Sequence, residues 1–215
     1  EFSAIDRCNL DSLKCILSTG SPLIKESFEY VYRNLKKDVH LASISGGTDI
    51  VSCFVLGNPN MPVFSGEIQC KSLGVDVDVF DENGKSTRDK GELVCKSAIP
   101  SMPIGFWNDN KKTKYISSYF SRFENVWTQG DFANITDRDG MIIYGRSDAT
   151  LNPGGIRIGT AEIYRAVETI NEVAESIAVA QEWNNDIRIV LFVKLIEGNE
   201  LTKELIKLIK DKIRV

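Results

Sequence analysis

Three polar clusters carry residue types suited to holding phosphate, ribose and a divalent cation. The first is Ser45-Gly46-Gly47-Thr48-Asp49. Glycines after a strand let the backbone approach a phosphate, a hydroxyl can donate to it, and a carboxylate can hold Mg2+. The same composition also makes an ordinary turn. The second is Trp127-Thr128-Gln129-Gly130-Asp131, where an acid at the end of a strand could accept both ribose hydroxyls; here too a plain turn is the alternative. The third runs from Gly145 to Ile163 and is the longest. Arg146 and Arg157 lie eleven residues apart around Asp148 and the Gly-rich stretch Asn152-Pro153-Gly154-Gly155. The planar arginine fork suits phosphate and ribose oxygens, with surface salt bridges as the competing use.

The elements that must position these clusters follow from local pattern. Leu13–Leu17 reads as a buried strand and Val39–Ile44 as a second. Between them a helix to about Lys37 is expected, with Ser21 as N-cap and Pro22 at its first position. Phe28, Val31, Tyr32 and Leu35 would form its buried face. Strand, helix and strand in that order predict a βαβ crossover and a parallel sheet. Loops 18–22 and 45–49 both follow strands, so they belong at the carboxyl end, where such sheets bind ligands. From about Gly66 the texture changes to short alternating segments, 75–80, 92–95 and 141–144. Asn83-Gly84 and Asp139-Gly140 predict type I′ hairpins, and the region reads as an antiparallel, barrel-like subdomain.

Past residue 147 an amphipathic helix carries Ile163, Val167 and Ile170, with Thr160 as its expected cap. Strands 176–181 and 187–195 follow, joined by a polar turn at 184–186. A last helix from about Thr202 buries Leu205, Leu208 and Ile209. The expected division is therefore 1–147, itself an α/β segment 1–65 and a β-rich subdomain 66–147, then a small α+β domain 148–215 that is cut short. The fold class is α/β plus α+β.

Composition removes several function classes. The 215 residues carry 26 Lys+Arg against 30 Asp+Glu, a net charge of −4, so no basic footprint for nucleic acid is present. No apolar run reaches the roughly 20 residues that span a bilayer, and residues 1–11 do not read as a signal peptide. Five scattered cysteines without a CxxC pair suit free thiols in a reducing, cytoplasmic compartment. The single histidine, His40, would have to build any zinc site or Ser-His-Asp triad alone; it reads as a packed or edge residue.

Together, Ser18-Thr19-Gly20-Ser21-Pro22-Leu23, Ser45 to Asp49, Pro103-Ile104-Gly105-Phe106-Trp107-Asn108-Asp109 and the Gly145–Ile163 run resemble the adenylate-forming superfamily of acyl-CoA synthetases, luciferases and peptide-synthetase adenylation domains. The resemblance covers essentially the whole chain. It implies that ATP and a carboxylate form an acyl-adenylate, from which coenzyme A displaces AMP, with Mg2+ as cofactor. It implies that Gly20, Ser21 and Pro22 lie against adenine and ribose. Ser45, Gly46, Gly47 and Thr48 would line the nucleotide and acyl pocket, with the Thr48 hydroxyl on the α-phosphate. Asp49 would help hold Mg2+, Asp131 would take the ribose diol, and Arg146 would support it. Arg157 would approach the phosphates, Gly154 and Gly155 would pass close to pantetheine, and Asp148 would be the hinge of the small domain.

Acetate-specific relatives carry tryptophan at the position matching Gly46, so the resemblance implies room for a longer acid such as acetoacetate, propionate or butyrate. The family's phosphate loop is expected upstream of Glu1 and its catalytic lysine beyond Val215. Lys203, Lys207, Lys210 and Lys212 lie on a solvent face and do not replace it. The chain alone is therefore expected to be inactive, its missing parts being partners from its own protein. A non-catalytic nucleotide-binding module is the alternative from another class.

Overall fold

The parallel crossover forms as the pattern predicts. The computed structural model describes residues 8–151, 158–183 and 186–214. Strands β1 (Cys15–Ser18) and β2 (His40–Ser43) pair in parallel, Cys15 opposite His40 and Ser18 opposite Ser43, around helix α1 (Lys25–Asn34). Phe28 is buried in α1, and Val31, Tyr32 and Leu35 are half-buried beside it, the expected face. The helix is shorter than expected. Its N-cap is Ile24 rather than Ser21, and no side chain caps it. Ser21 and Pro22 stay in the loop, while the Ile24 carbonyl accepts from the amides of Ser27 and Phe28.

The second predicted strand forms as β2, and the expected loop after it is partly a strand of its own. After Ser43 the chain turns at Ile44 and begins β3 (Ser45–Gly47), which pairs antiparallel with β4 (Ser52–Leu56); β4 in turn pairs with β5 (Cys70–Lys71). The following residues form a four-stranded antiparallel sheet in the order β6-β7-β8-β9: Val77–Phe80, Gly91–Cys95, Trp127–Ile135 and Met141–Arg146. A bridge between Ile68 and Met141 stitches the approach to β5 onto β9. The buried side chains Phe54, Val55, Val77, Val79, Leu93 and Trp127 make one core beneath these sheets.

Both predicted hairpins exist, but neither is type I′. That turn needs positive φ at both central residues. Gly84 has φ +74 while Asn83 does not, and Asp139 has φ +61 while Gly140 does not. Each loop instead closes over one left-handed residue, with Asp81 N–H on the Lys85 carbonyl and Thr136 N–H on the Gly140 carbonyl. Helix α2 (Thr113–Tyr119) was not expected. Asp109 Oδ2 accepts from the Tyr115 amide at 2.9 Å, which satisfies one of the free donors of its first turn.

The chain divides into two compact units, Glu1–Ile143 and Tyr144–Val215, a boundary slightly earlier than residues 147 and 148. In the second unit, β10 (Thr150–Leu151) pairs with β11 (Ile158–Gly159), and α3 (Thr160–Val167) follows with Gly159, not Thr160, at its N-cap. Strands β12 (Val173–Trp183) and β13 (Asp186–Leu195) form a long antiparallel pair, and α4 (Lys203–Ile213) closes the element order. The helix starts where expected, and Thr202 proves to be its N-cap, the side chain accepting from Leu205 N–H. Ile163, Val167, Ile170, Val173, Leu205 and Ile209 build this unit's core. Leu208, expected inside, is 43% exposed. An apolar cavity of about 440 Å3 beside this core is lined by Ile163, Ile189, Leu191, Val193 and Ile209 among others.

Candidate nucleotide site

The first two polar clusters meet in the first unit. Ile44 N–H donates to the Ser18 carbonyl at 2.9 Å, so loops 18–22 and 45–49 leave the parallel pair side by side. Gly20 has φ +94, with nothing within 4 Å of where a Cβ would stand. Thr19, Gly20 and Ser21 are exposed and Pro22 is half-buried. Ser45, Gly46 and Gly47 are strand residues rather than loop, and Thr48 and Asp49 occupy the exposed turn that follows.

Gly46 has a backbone reason to be glycine. The register shifts between Ser45 and Gly46, and a Cβ there would lie 2.2 Å from the Ser52 carbonyl oxygen and 2.7 Å from Cys53 Cα. A larger residue at this position requires the β3–β4 pairing itself to move. Glycine is therefore explained without reference to the length of any bound acid.

The second cluster is a distortion inside β8, not a turn at its end. Phe132 pairs with Glu92 and Thr128 with Val94, leaving Gln129-Gly130-Asp131 opposite Leu93. Such a bulge re-aims the side chains it carries, and Gly130 supplies the required left-handed φ of +80. Glu92, completely buried, accepts from Gly130 N–H at 3.1 Å through one oxygen and pairs with Arg122 through the other. Asp131 follows at 7% exposure.

Gln129 ties the two clusters together. The Trp127 indole N–H can only donate, so its 3.1 Å contact fixes Gln129 Oε1 as acceptor. That orients Nε2 to donate to the Gly46 carbonyl at 3.2 Å. Tyr119, the last residue of α2, stacks on Trp127 with centroids 3.6 Å apart and planes 14° apart, and its hydroxyl donates to Asp49 Oδ2. The sequence pattern assigns no role to Gln129, Glu92, Arg122 or Tyr119. Only the Tyr115/Tyr119 spacing of four, and an acid at the start of the alternating segment 92–95, point toward them in the sequence.

Asp49 fits a Mg2+ that takes its other ligands from phosphate and water. Among the described residues no group of three metal-ligating side chains exists, so an all-protein cage is not formed. A single exposed carboxylate is the usual Mg2+ arrangement beside a nucleotide.

His40 ties β2 to the segment that leads into β5. The Asn58 backbone N–H donates to Gln69 Oε1 at 3.0 Å and Nε2 faces the carbonyls of Asn58, Met61 and Pro62, so Oε1 is the acceptor. His40 therefore carries its proton on Nε2, donating to that oxygen at 2.7 Å, while Nδ1 lies 3.7 Å from Cys15 Sγ.

In the second unit, Arg146 grips Asp148 with both arms of its fork, Nε to Oδ1 at 2.8 Å and Nη2 to Oδ2. The guanidinium holds the Asp148 carboxyl below the ordinary carboxylate range, against a smaller opposing effect of burial. Arg157, Gly154 and Gly155 lie outside the described residues.

The solved acetoacetyl-CoA synthetase from Streptomyces lividans superposes with a TM-score of 0.84 and 40% identity over 98% of this chain and 32% of that one. The chain belongs to the adenylate-forming acyl-CoA synthetase family. Within it, the chain is 59% identical over 207 residues to the acetoacetyl-coenzyme A synthetase of Rhizobium meliloti (strain 1021), covering 96% of this chain and 32% of that protein. It is 48% identical over 219 residues to the acetoacetyl-CoA synthetase of Mus musculus, with 100% and 32% covered. The chain thus spans about a third of the length of the relatives it matches. No family model matches it.

Proposed function

We propose that this chain is the nucleotide-cradling part of a protein that joins acetoacetate to coenzyme A, with ATP as the other substrate and an acyl-adenylate between the two half-reactions. A free carboxylate resists attack by a thiol because its leaving group would be oxide. Adenylation supplies a good leaving group, and groups that stabilise developing charge then speed transfer. The observation that carries the reading is the Gln129 tie between Gly46 and the β8 bulge. It sets hydroxyl, backbone and carboxylate groups on adjoining segments, as one nucleotide would need.

In this reading Gly20, Ser21 and Pro22 bound the adenosine, and Ser45 to Thr48 line the phosphate side, with the Thr48 hydroxyl donating to the α-phosphate. Asp131 accepts the ribose hydroxyls and Arg146 supports them. Asp49 would hold Mg2+, which neutralises phosphate charge when bound. Arg157 serves the phosphates, Gly154 and Gly155 leave room for pantetheine, and Asp148 is the hinge between half-reactions. The acetoacetate assignment draws on the names of the relatives, since Gly46 has its own backbone reason. Five scattered cysteines without a CxxC pair suit a reducing, cytoplasmic setting.

The test is acetoacetate-dependent AMP release by the whole protein that contains this chain. Saturable release with acetoacetate, and little with acetate, is expected. Release with acetate alone would sink the substrate assignment, and no AMP release with any short acid would sink the reading.

A further inference from the structure

We propose that Tyr119 is a positioning residue for Asp49, holding its carboxylate in the orientation in which it receives a divalent cation. The inference rests on the reading of Asp49 as the metal-holding acid. Asp49 lies exposed in the turn after β3, where nothing in the turn itself fixes its rotamer. The Tyr119 hydroxyl donates to its Oδ2.

That hydroxyl is carried on a rigid stem. The Tyr119 ring stacks flat on Trp127 and meets Phe106 and Tyr115 edge-on at 6.0 Å. Trp127 is 1% exposed, and its indole N–H is held by Gln129. Hence the aromatic cluster that fills the core also fixes a phenol oxygen against the one acid of the first polar cluster. A carboxylate has about four lone-pair directions, so one donated bond still leaves room for a cation. Hydrogen-bonded partners of a metal ligand typically set its affinity by ten- to a hundredfold.

Tyr119→Phe is the direct test, because it keeps the stacked ring and removes only the hydroxyl. In the whole protein, Mn2+ affinity would be measured by calorimetry with a non-hydrolysable ATP analogue present, alongside the KM for Mg2+ and kcat at saturating nucleotide. The expected result is a metal Kd raised about tenfold and a matching rise in the KM for Mg2+, with kcat nearly unchanged and the melting temperature close to wild type. Asp49→Asn is run in parallel. If Asp49→Asn weakens metal binding but Tyr119→Phe does not, the positioning role is overturned while the reading of Asp49 stands. If Asp49→Asn itself leaves metal binding unchanged, the metal role of Asp49 fails and the proposal falls with it. A Tyr119→Phe protein that loses melting temperature without losing metal affinity would assign Tyr119 to packing alone and overturn it too.

Discussion

The two units hold their polar clusters in opposite ways. In the first, Gly46 and the Gln129–Asp131 bulge are fixed by buried side chains: Trp127 beneath Gln129, and Glu92 beneath Gly130. In the second, Arg146 and Asp148 pair across a single residue at the surface, 47% and 61% exposed. A buried hydrogen-bonded network is costly to rearrange and so preorganises. An exposed ion pair is worth little and so exchanges partners easily. The difference separates a buried network that stays in place from a surface ion pair that can rearrange.

Removing the support of the first unit should have the largest effect. Trp127→Ala deletes a large core ring and the donor to Gln129, and should cost about 3–5 kcal/mol in urea denaturation of the chain. A loss below about 1 kcal/mol would mean the ring is not the keystone of this core. Glu92→Ala leaves Gly130 N–H and Arg122 without their acceptor. Breaking a buried pair costs about 3–5 kcal/mol, and the expected loss lies toward the lower figure because Arg122 is 35% exposed and can regain water. Thermal melts of both variants, each with Asp131 intact, would rank these two supports.

The second unit should respond far less. Asp148→Asn breaks the Arg146 pair and should change stability by less than about 1 kcal/mol. The pH dependence has a definite sign. Because Arg146 depresses the Asp148 carboxyl in the folded state, the stabilisation is fully present above the carboxyl's unfolded value. It is lost as pH falls through the folded one. Wild type and Asp148→Asn should therefore converge in strongly acidic solution and separate slightly near neutrality. A separation that grows as pH falls would contradict the pairing.

Much of this was legible in the residues. Period and punctuation located β1, α1 and β2, because Phe28, Val31, Tyr32 and Leu35 repeat at helical spacing between two apolar runs. They also located the second unit's helices and strand pair. What stayed hidden depended on tertiary contacts. Trp127–Ile135 is one strand, but Gln-Gly-Asp in its middle breaks the alternation, since the bulge is set by pairing across to Glu92 and not by local preference. Helix α2 is short, and its serines give little helical signal; Tyr115 and Tyr119 hold it by packing on Phe106 and Trp127. Ser45-Gly46-Gly47 looked like a loop because two glycines are poor strand formers, yet the approach to Ser52 and Cys53 demands one of them. The cluster types were readable, and the side chains that hold them in place were not.

Amide hydrogen exchange on the chain and its Gln129→Leu variant tests the central contrast most directly. If Gln129 binds the two clusters into one unit, residues 45–53 and 127–133 should open together in the wild type. The substitution, which leaves the Gly46 carbonyl without its partner, should lower the protection of both by about 1–2 kcal/mol while residues 146–151 exchange as before. Exchange across 45–53 that is unchanged in Gln129→Leu, with 127–133 alone affected, would contradict it.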